Sequence, residues 1–168
     1  LSAQDINPQI QKFMEFYGKD DVAGMDNVSQ EIIDIAPDNY AGYAFKGFSA
    51  ILKNDLTTAE NYMNTARNFN PVDQASYGIS AYVQFIKGNT TEAEKLMDYS
   101  FQLRGDETLL SVTLDDLNLI ERVTKKDLSA LKEITKKSNS KYPGAPQNMG
   151  KFYSCQQAWY EGKTCDQE

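Results

Sequence analysis

The sequence predicts an all-α chain of antiparallel helix hairpins packed one on the next and closed by a C-terminal helix. Three observations carry that prediction. Residues recur at a spacing of 34, helix-breaking residues fall between the recurrences, and no stretch shows the apolar–polar alternation of a strand. At 168 residues, 40% hydrophobic and 11% aromatic, the chain has material for one domain with a sizeable core.

The breakers mark out the elements in order. Asn7-Pro8 opens a first helix, because asparagine caps and proline suits the first turn, and it runs to about Tyr17 before Gly18. Asp20-Asp21 starts a second, with Val28, Ile32 and Ile35 on one face and Pro37 beyond it. These two make a degenerate repeat over about 6–38. A second pair, about 39–53 and 56–69, turns at Asn54-Asp55, with Thr57 and Glu60 at capping-box spacing. A third pair, about 73–87 and 91–103, turns at Gly88-Asn89, with Thr91 and Glu94 spaced likewise.

Beyond Gly105 the register loosens. Asp106 is read as the cap of a helix carrying Leu109, Leu110, Leu114, Leu117 and Ile120, and Asp127 as the cap of one carrying Leu128, Leu131 and Ile134. This pair covers about 106–140. After Tyr142-Pro143-Gly144-Ala145-Pro146, a last helix over about 146–162 carries Phe152, Cys155 and Trp159 and shields the open end of the stack.

The recurrence is specific. Pro37 and Pro71, Tyr43 and Tyr77, Ala59 and Ala93, and Met63 and Met97 each stand 34 residues apart, and Gly47 aligns with Ala81. The order Tyr43, Gly47, Ala59, Ala66, Pro71 resembles the tetratricopeptide repeat (TPR): a bulky aromatic, a small residue four later, two small residues seven apart and a closing proline. The window 40–73 fits well; 74–105 keeps Tyr77, Ala81, Ala93 and Ser100 but has Gly105 in place of the proline. The resemblance implies a single domain whose hairpins wind into a right-handed superhelical stack. It also explains the small residues: Gly47, Ala50, Ala59 and Ala66 are holes for Tyr43, Tyr62, Met63 and Phe69, where axes approach to about 8–10 Å. Glycine costs about 1 kcal/mol inside a helix, so Gly47 requires a packing gain.

Composition prunes function. The chain has no histidine, which removes Ser-His and Cys-His nucleophile pairs, His-ligated zinc and imidazole acid–base chemistry. Paired acids at Asp20-Asp21 and Asp115-Asp116 diverge by about 100° on a helix and read as helix starts, not a catalytic dyad. No cofactor or metal is expected. A net charge of −7 argues against nucleic acid. The lysines Lys125, Lys126, Lys132, Lys136, Lys137 and Lys141 alternate with Asp127 and Glu133 as on a solvated face. Apolar runs are only a few residues long, so no membrane span is expected.

The resemblance further implies a non-enzymatic module that binds a partner protein or peptide in the concave groove lined by the first helix of each pair. Carried onto this chain, the groove residues are Ala41, Ala44, Phe48 and Ile51, then Ala75, Gly78, Tyr82 and Phe85, with Asn7, Ile10, Met14 and Tyr17 from the first repeat. On that reading, Phe48→Ala or Tyr82→Ala weakens capture and leaves melting unchanged; the competing reading is that these residues are core. Family members that clamp a C-terminal carboxylate use lysine and asparagine where this chain has Ala44 and Phe48, so an apolar segment suits the lining better.

Cys155 and Cys165 can form a disulfide, with Gly162 allowing the reversal between them, or remain two thiols. The bridge points to the periplasm or another exported location, the free pair to the cytoplasm. Exported relatives of the family assist pilus, secretion or envelope assembly. The alternatives are an intracellular secretion chaperone of the same architecture and, more remotely, a carboxylate-dependent enzyme. A homo-oligomer is compatible with all three.

Overall fold

Three turns set the architecture. Asp20, Asn54 and Gly88 adopt positive φ of 53°, 59° and 86°, and they lie 34 residues apart. Around each, the same hydrogen bonds recur. The amides of Asp21, Asp55 and Asn89 donate to the carbonyls of Phe16, Ala50 and Gln84, each at 2.9 Å. One residue earlier, the amides of Asp20, Asn54 and Gly88 donate to Tyr17, Ile51 and Phe85 at 3.2, 3.0 and 3.0 Å. This is a Schellman helix end, in which a left-handed residue folds the chain back to satisfy the last carbonyls. The residue that completes it also caps the next helix: the Asp21 carboxylate accepts from the Gly24 amide, and Asp55 from the Thr58 amide.

The computed structural model describes residues 5–71, 73–103 and 112–142. Among them are eight α-helices and no strand: α1 Asn7–Gly18, α2 Val22–Ile35, α3 Tyr40–Leu52, α4 Leu56–Phe69, α5 Gln74–Ile86, α6 Thr90–Gln102, α7 Leu114–Thr124 and α8 Ser129–Lys141. Adjacent helices pack in sequence order from α1 through α6; α8 then packs on α6, while α7 lies against α3 and α8.

The junctions between hairpins repeat as well. The amides of Ala36 and Asn70 donate to Ile32 and Ala66, both at 2.8 Å, and those of Asn39 and Asp73 to Ala36 and Asn70. The Tyr43 hydroxyl donates to the Pro37 carbonyl at 2.7 Å, and Tyr77 does the same to Pro71 at 2.9 Å. In the first repeat the equivalent position is Gln9, which explains why that repeat is hard to recognise from its residue types.

Several expected boundaries change. Val112 and Thr113 are not helical, so no helix runs from Asp106 to Ile120; α7 starts at Leu114 under a capping box made by Thr113 and Asp116. The Thr57–Glu60 and Thr91–Glu94 boxes are not used. Asp55 and Asn89 stand at those N-caps, while Glu60 pairs with Lys87 and Glu94 with Lys137. Asp127 lies one residue before the N-cap of α8 and accepts from the Ser129 amide. The expected helix over 146–162, with Cys155 and Cys165, lies outside the described residues.

Helix α3 sits at the centre, with 11 of its 13 residues buried. It is flanked by α2, α4, α5 and α7, which accounts for a sequence apolar almost all round. Two glycines make this crowding feasible. A Cβ on Gly42 would stand 2.9 Å from Ile33 Cγ1 and 3.0 Å from the Ile33 backbone nitrogen, on the α2 side. On the α4 side, a Cβ on Gly47 would collide with the terminal methyl of Met63.

These contacts give an ordering for Gly→Ala substitutions. Gly42→Ala meets rigid backbone and loses about 1–3 kcal/mol in chemical denaturation. Gly47→Ala loses less, because the Met63 side chain can rotate away. Gly18→Ala, with nothing within 4 Å of its Cβ, gains about 0.5–1 kcal/mol. A larger loss at Gly47 than at Gly42 would contradict this account of the packing.

Candidate functional site

The first helices of the three hairpins, α1, α3 and α5, supply the residues expected to line a groove. In the structure this row carries an occupant, the segment Val112–Thr124. Val112 is buried on Gly78 of α5, where a Cβ would come within 2.7 Å of its Cγ2. Helix α7 lies along α3 and contributes Leu117, Leu119 and Ile120 to the main core, all 0–1% exposed. The Tyr82 phenol of α5 is buried near Thr124 at the end of α7, and burial pushes its pKa up to about 12.

Most of the predicted lining residues are therefore interior. Ala41, Ile10, Phe48, Ile51 and Tyr82 belong to the main core and Gly78 lies under Val112. Ala44 packs with Tyr40 and Ala66 in a separate small cluster, and Ala75 is also buried. Asn7, Tyr17 and Phe85 are half-buried, and Met14 faces solvent at 54% exposure. The sequence leaves open whether this groove is free or filled; in the structure the segment Val112–Thr124 lies in it.

Polar contacts fasten α7 to α1. The Tyr17 hydroxyl donates to Asp116 Oδ1 at 2.7 Å, and the Arg122 guanidinium forks onto both oxygens of Asp20 at 3.0 and 3.1 Å. Burial, then the hydrogen bond to Asp116, pushes the Tyr17 phenol far above its ordinary value. Burial likewise raises the Asp116 carboxyl, against the opposing pull of Tyr17 and Thr113. The Arg122 hydrogen bond holds the exposed Asp20 carboxyl below its usual range. This cluster pairs each donor with an acceptor and acts as a clasp. Among the described residues, no three Asp, Glu, Cys or His gather as metal ligands.

The basic face of α8 is also paired. Lys132 pairs with Glu121, Lys136 with Glu133 at 3.0 Å, Lys137 with Glu94 at 3.2 Å and Lys141 with Asp98 at 2.9 Å. The last two, with the Ser138 hydroxyl donating to Asp98 at 2.5 Å, join α8 to α6. These lysines serve the fold, and no bare cationic stripe results.

What stays accessible is an aromatic band on the edges of the second and third hairpins. Tyr43 stacks on Phe69 with centroids 5.5 Å apart and approaches Tyr62 at 6.5 Å. Arg67 lies 5.2 Å above the Tyr77 ring and is held by the Ser76 carbonyl and the Ser80 hydroxyl. Tyr77 meets Tyr99 edge-on at 4.6 Å. Phe69 and Tyr99 are each 40% exposed. The sequence marks Tyr43, Tyr62 and Phe69 as packing knobs; the roles of Tyr99 and Arg67 depend on which hairpin edges come together. No helix of the described residues is long and apolar enough to cross a membrane.

No family model, curated protein or solved structure matches the chain.

Two predictions follow from burial. Because Phe48 and Tyr82 are core, truncating either to alanine costs about 3–5 kcal/mol, read as a fall in the denaturation midpoint. A change below about 1 kcal/mol in both would mean that they stand free of the core.

The second concerns Asp73, which is buried at the N-cap of α5 and accepts from the Ser76 hydroxyl. Burial pushes its carboxyl up to about 6 from an ordinary 3.8, outweighing Ser76, the Ala75 and Ser76 amides and Arg67, which all lower it. Between those values the folded chain holds a proton that the unfolded chain releases. This group therefore subtracts stability as pH rises through that window, and its penalty is complete above about 6. Asp73→Asn removes the penalty and stabilises the chain by up to about 3 kcal/mol at pH 8, with the gain vanishing near pH 4. Equal shifts at both pH values would refute the assignment.

Proposed function

We propose that the chain is a non-enzymatic protein–protein interaction module, a TPR-like stack of hairpins with the right-handed superhelical winding of that architecture. The observation that carries this reading is the 34-residue recurrence of turn, cap and tyrosine hydrogen bond across hairpins. Repeats of this kind multiply one surface along an axis, and such surfaces serve recognition. The absence of histidine from the whole chain is in keeping with that role.

The row of α1, α3 and α5 holds α7, so the partner surface is assigned to the aromatic edge where exposed Phe69 stands beside the half-buried Tyr43 and Tyr62. Ring faces and edges there suit apolar side chains of an extended segment, and tyrosine offers large contact area at low entropic cost. With seven net negative charges on the chain, the partner segment is neutral or basic. Assembly of an exported envelope, pilus or secretion apparatus stays within this reading.

Benzoylphenylalanine installed at position 69 tests it in cells that express the chain natively. The expected result is one discrete adduct, competed by unmodified protein, with no adduct from the same group at position 14. Adducts at 14 and not at 69, or none from any of positions 43, 62 and 69, would refute this surface.

A further inference from the structure

One strip of α4 carries three pairs of side chains in the same register. Asn61 and Asn68, Thr58 and Thr65, and Tyr62 and Phe69 each stand seven residues apart. Seven residues make nearly two turns, so each pair lines up along the axis about 10.5 Å apart. Successive positions turn by about 100°, which puts the threonine row between the asparagine row and the aromatic row. Asn61 and Asn68 are exposed, Thr58 and Thr65 half-buried, and Tyr62 and Phe69 lie on the side that meets Tyr43 of α3. The positions 34 later on α6 hold Lys95 with Leu96 and Gln102 with Leu103, so the strip belongs to the second hairpin and not to the repeat.

The floor and one side of this strip are already satisfied. The Thr58 hydroxyl donates to Asp55 at 2.6 Å and the Thr65 hydroxyl to the Asn61 carbonyl at 3.1 Å. The rings are braced by Tyr43, whose hydroxyl is tied to the Pro37 carbonyl. The carboxamides of Asn61 and Asn68, by contrast, have no hydrogen-bond partner among the described residues. One occupant lying over the threonines would meet two free amides on one side and two rings on the other.

Backbone conformation decides which occupant fits. Like-facing side chains of a fully extended strand recur every 6.7 or 13.4 Å or so, about 3 Å off the row spacing. A helix matches it at i and i+7, but its carbonyls are spent internally and leave the amides nothing to donate to. A polyproline II segment repeats every three residues, about 9.3 Å, and all its carbonyls are free. The strip itself is uncharged, and each end has an exposed carboxylate. At one end is Asp55, whose carboxyl the Thr58 hydroxyl and amide hold below the usual range. At the other is Asp38, whose charge, after burial, raises the Tyr43 phenol. Basic residues flanking the segment complement both ends.

We infer that this strip receives a polyproline II segment of a partner protein. Apolar side chains three residues apart lie against Tyr62 and Phe69, backbone carbonyls accept from Asn61 and Asn68, and a basic residue stands at either end. The inference rests on the reading of the chain as an interaction module and names the backbone conformation of what it holds.

The test uses the full chain and a fluorescein-labelled peptide of three Pro-Pro-Leu triplets with an arginine at each end, followed by anisotropy. Expected is saturable binding that weakens about threefold to tenfold in Asn61→Ala or Asn68→Ala. Phe69→Ser should weaken it at least about tenfold, and Met14→Ser should leave it unchanged. Replacing each proline of the peptide by glycine should abolish it. The two asparagines are exposed, so their variants keep the wild-type denaturation midpoint and decide the matter where Phe69→Ser unfolds the chain. No saturable binding, equal binding of the glycine peptide, or unchanged binding in both asparagine variants would overturn the inference. A discrete adduct at position 69 in cells, with no binding of this peptide, would overturn the polyproline assignment alone. Peptide binding with no adduct from positions 43, 62 and 69 would uphold the strip's chemistry and refute the partner surface in those cells.

Discussion

Everything in this fold depends on helix α3 being surrounded. A helix packed by α2, α4, α5 and α7 has no solvent face to accommodate bulk, and interaxial distances fall only where side chains are small. Gly42 and Gly47 take the two closest approaches, and Ala41, Ala44 and Ala50 fill between them. The glycines weaken α3 as an isolated helix. That cost is offset by apolar area that Phe45, Phe48, Ile51 and Leu52 remove from water, at about 25 cal/mol per Å². The helix is therefore a product of its neighbours more than of its own propensity.

The turns convert that packing into a repeating geometry. Each of the first three hairpins uses one left-handed residue to end a helix and the next residue to begin another, so two helices reverse direction across a turn of only three residues. Asp20 and Asn54 take the left-handed conformation that Gly88 takes without strain, in line with the tolerance of Asp and Asn for that region. The fourth hairpin uses Lys125, at φ 61°, 37 residues after Gly88. It leaves the 34-residue register, and with it the row of first helices. Helix α7 lies instead against α3, with Val112 on Gly78 of α5 and Asp116 on Tyr17 of α1.

Much of this was legible in the residues and some was not. The helices up to Gln102 follow from breakers, caps and periodic apolar positions, because those signals act within one turn of the backbone. Gly47 against Met63 was legible too, since the same 34-residue spacing places both. The fate of Phe48 and Tyr82 was not, because an aromatic residue at helical spacing reads identically whether it faces solvent or a fifth helix. What decides it is α7, whose Leu117, Leu119 and Ile120 belong to a different hairpin. The start of α7 was misplaced for a related reason: Asp106 has the chemistry of a cap, but Thr113 and Asp116 satisfy each other reciprocally. The aromatic band was half legible. Its knobs show in the sequence, whereas the meeting of Arg67 with Tyr77 belongs to the stacking of two hairpins.

The clasp between α1 and α7 joins residues about a hundred positions apart: Tyr17 with Asp116, and Asp20 with Arg122. During synthesis the first hairpin leaves the ribosome long before its cover exists. Tyr17, Gly78 and Tyr82, which meet Asp116, Val112 and Thr124, then stay wet until translation has passed Thr124, and a chain stopped earlier exposes that sticky flank. Local hairpins form early and this distant closure last, so the nascent protein is most in need of chaperone protection between those two moments.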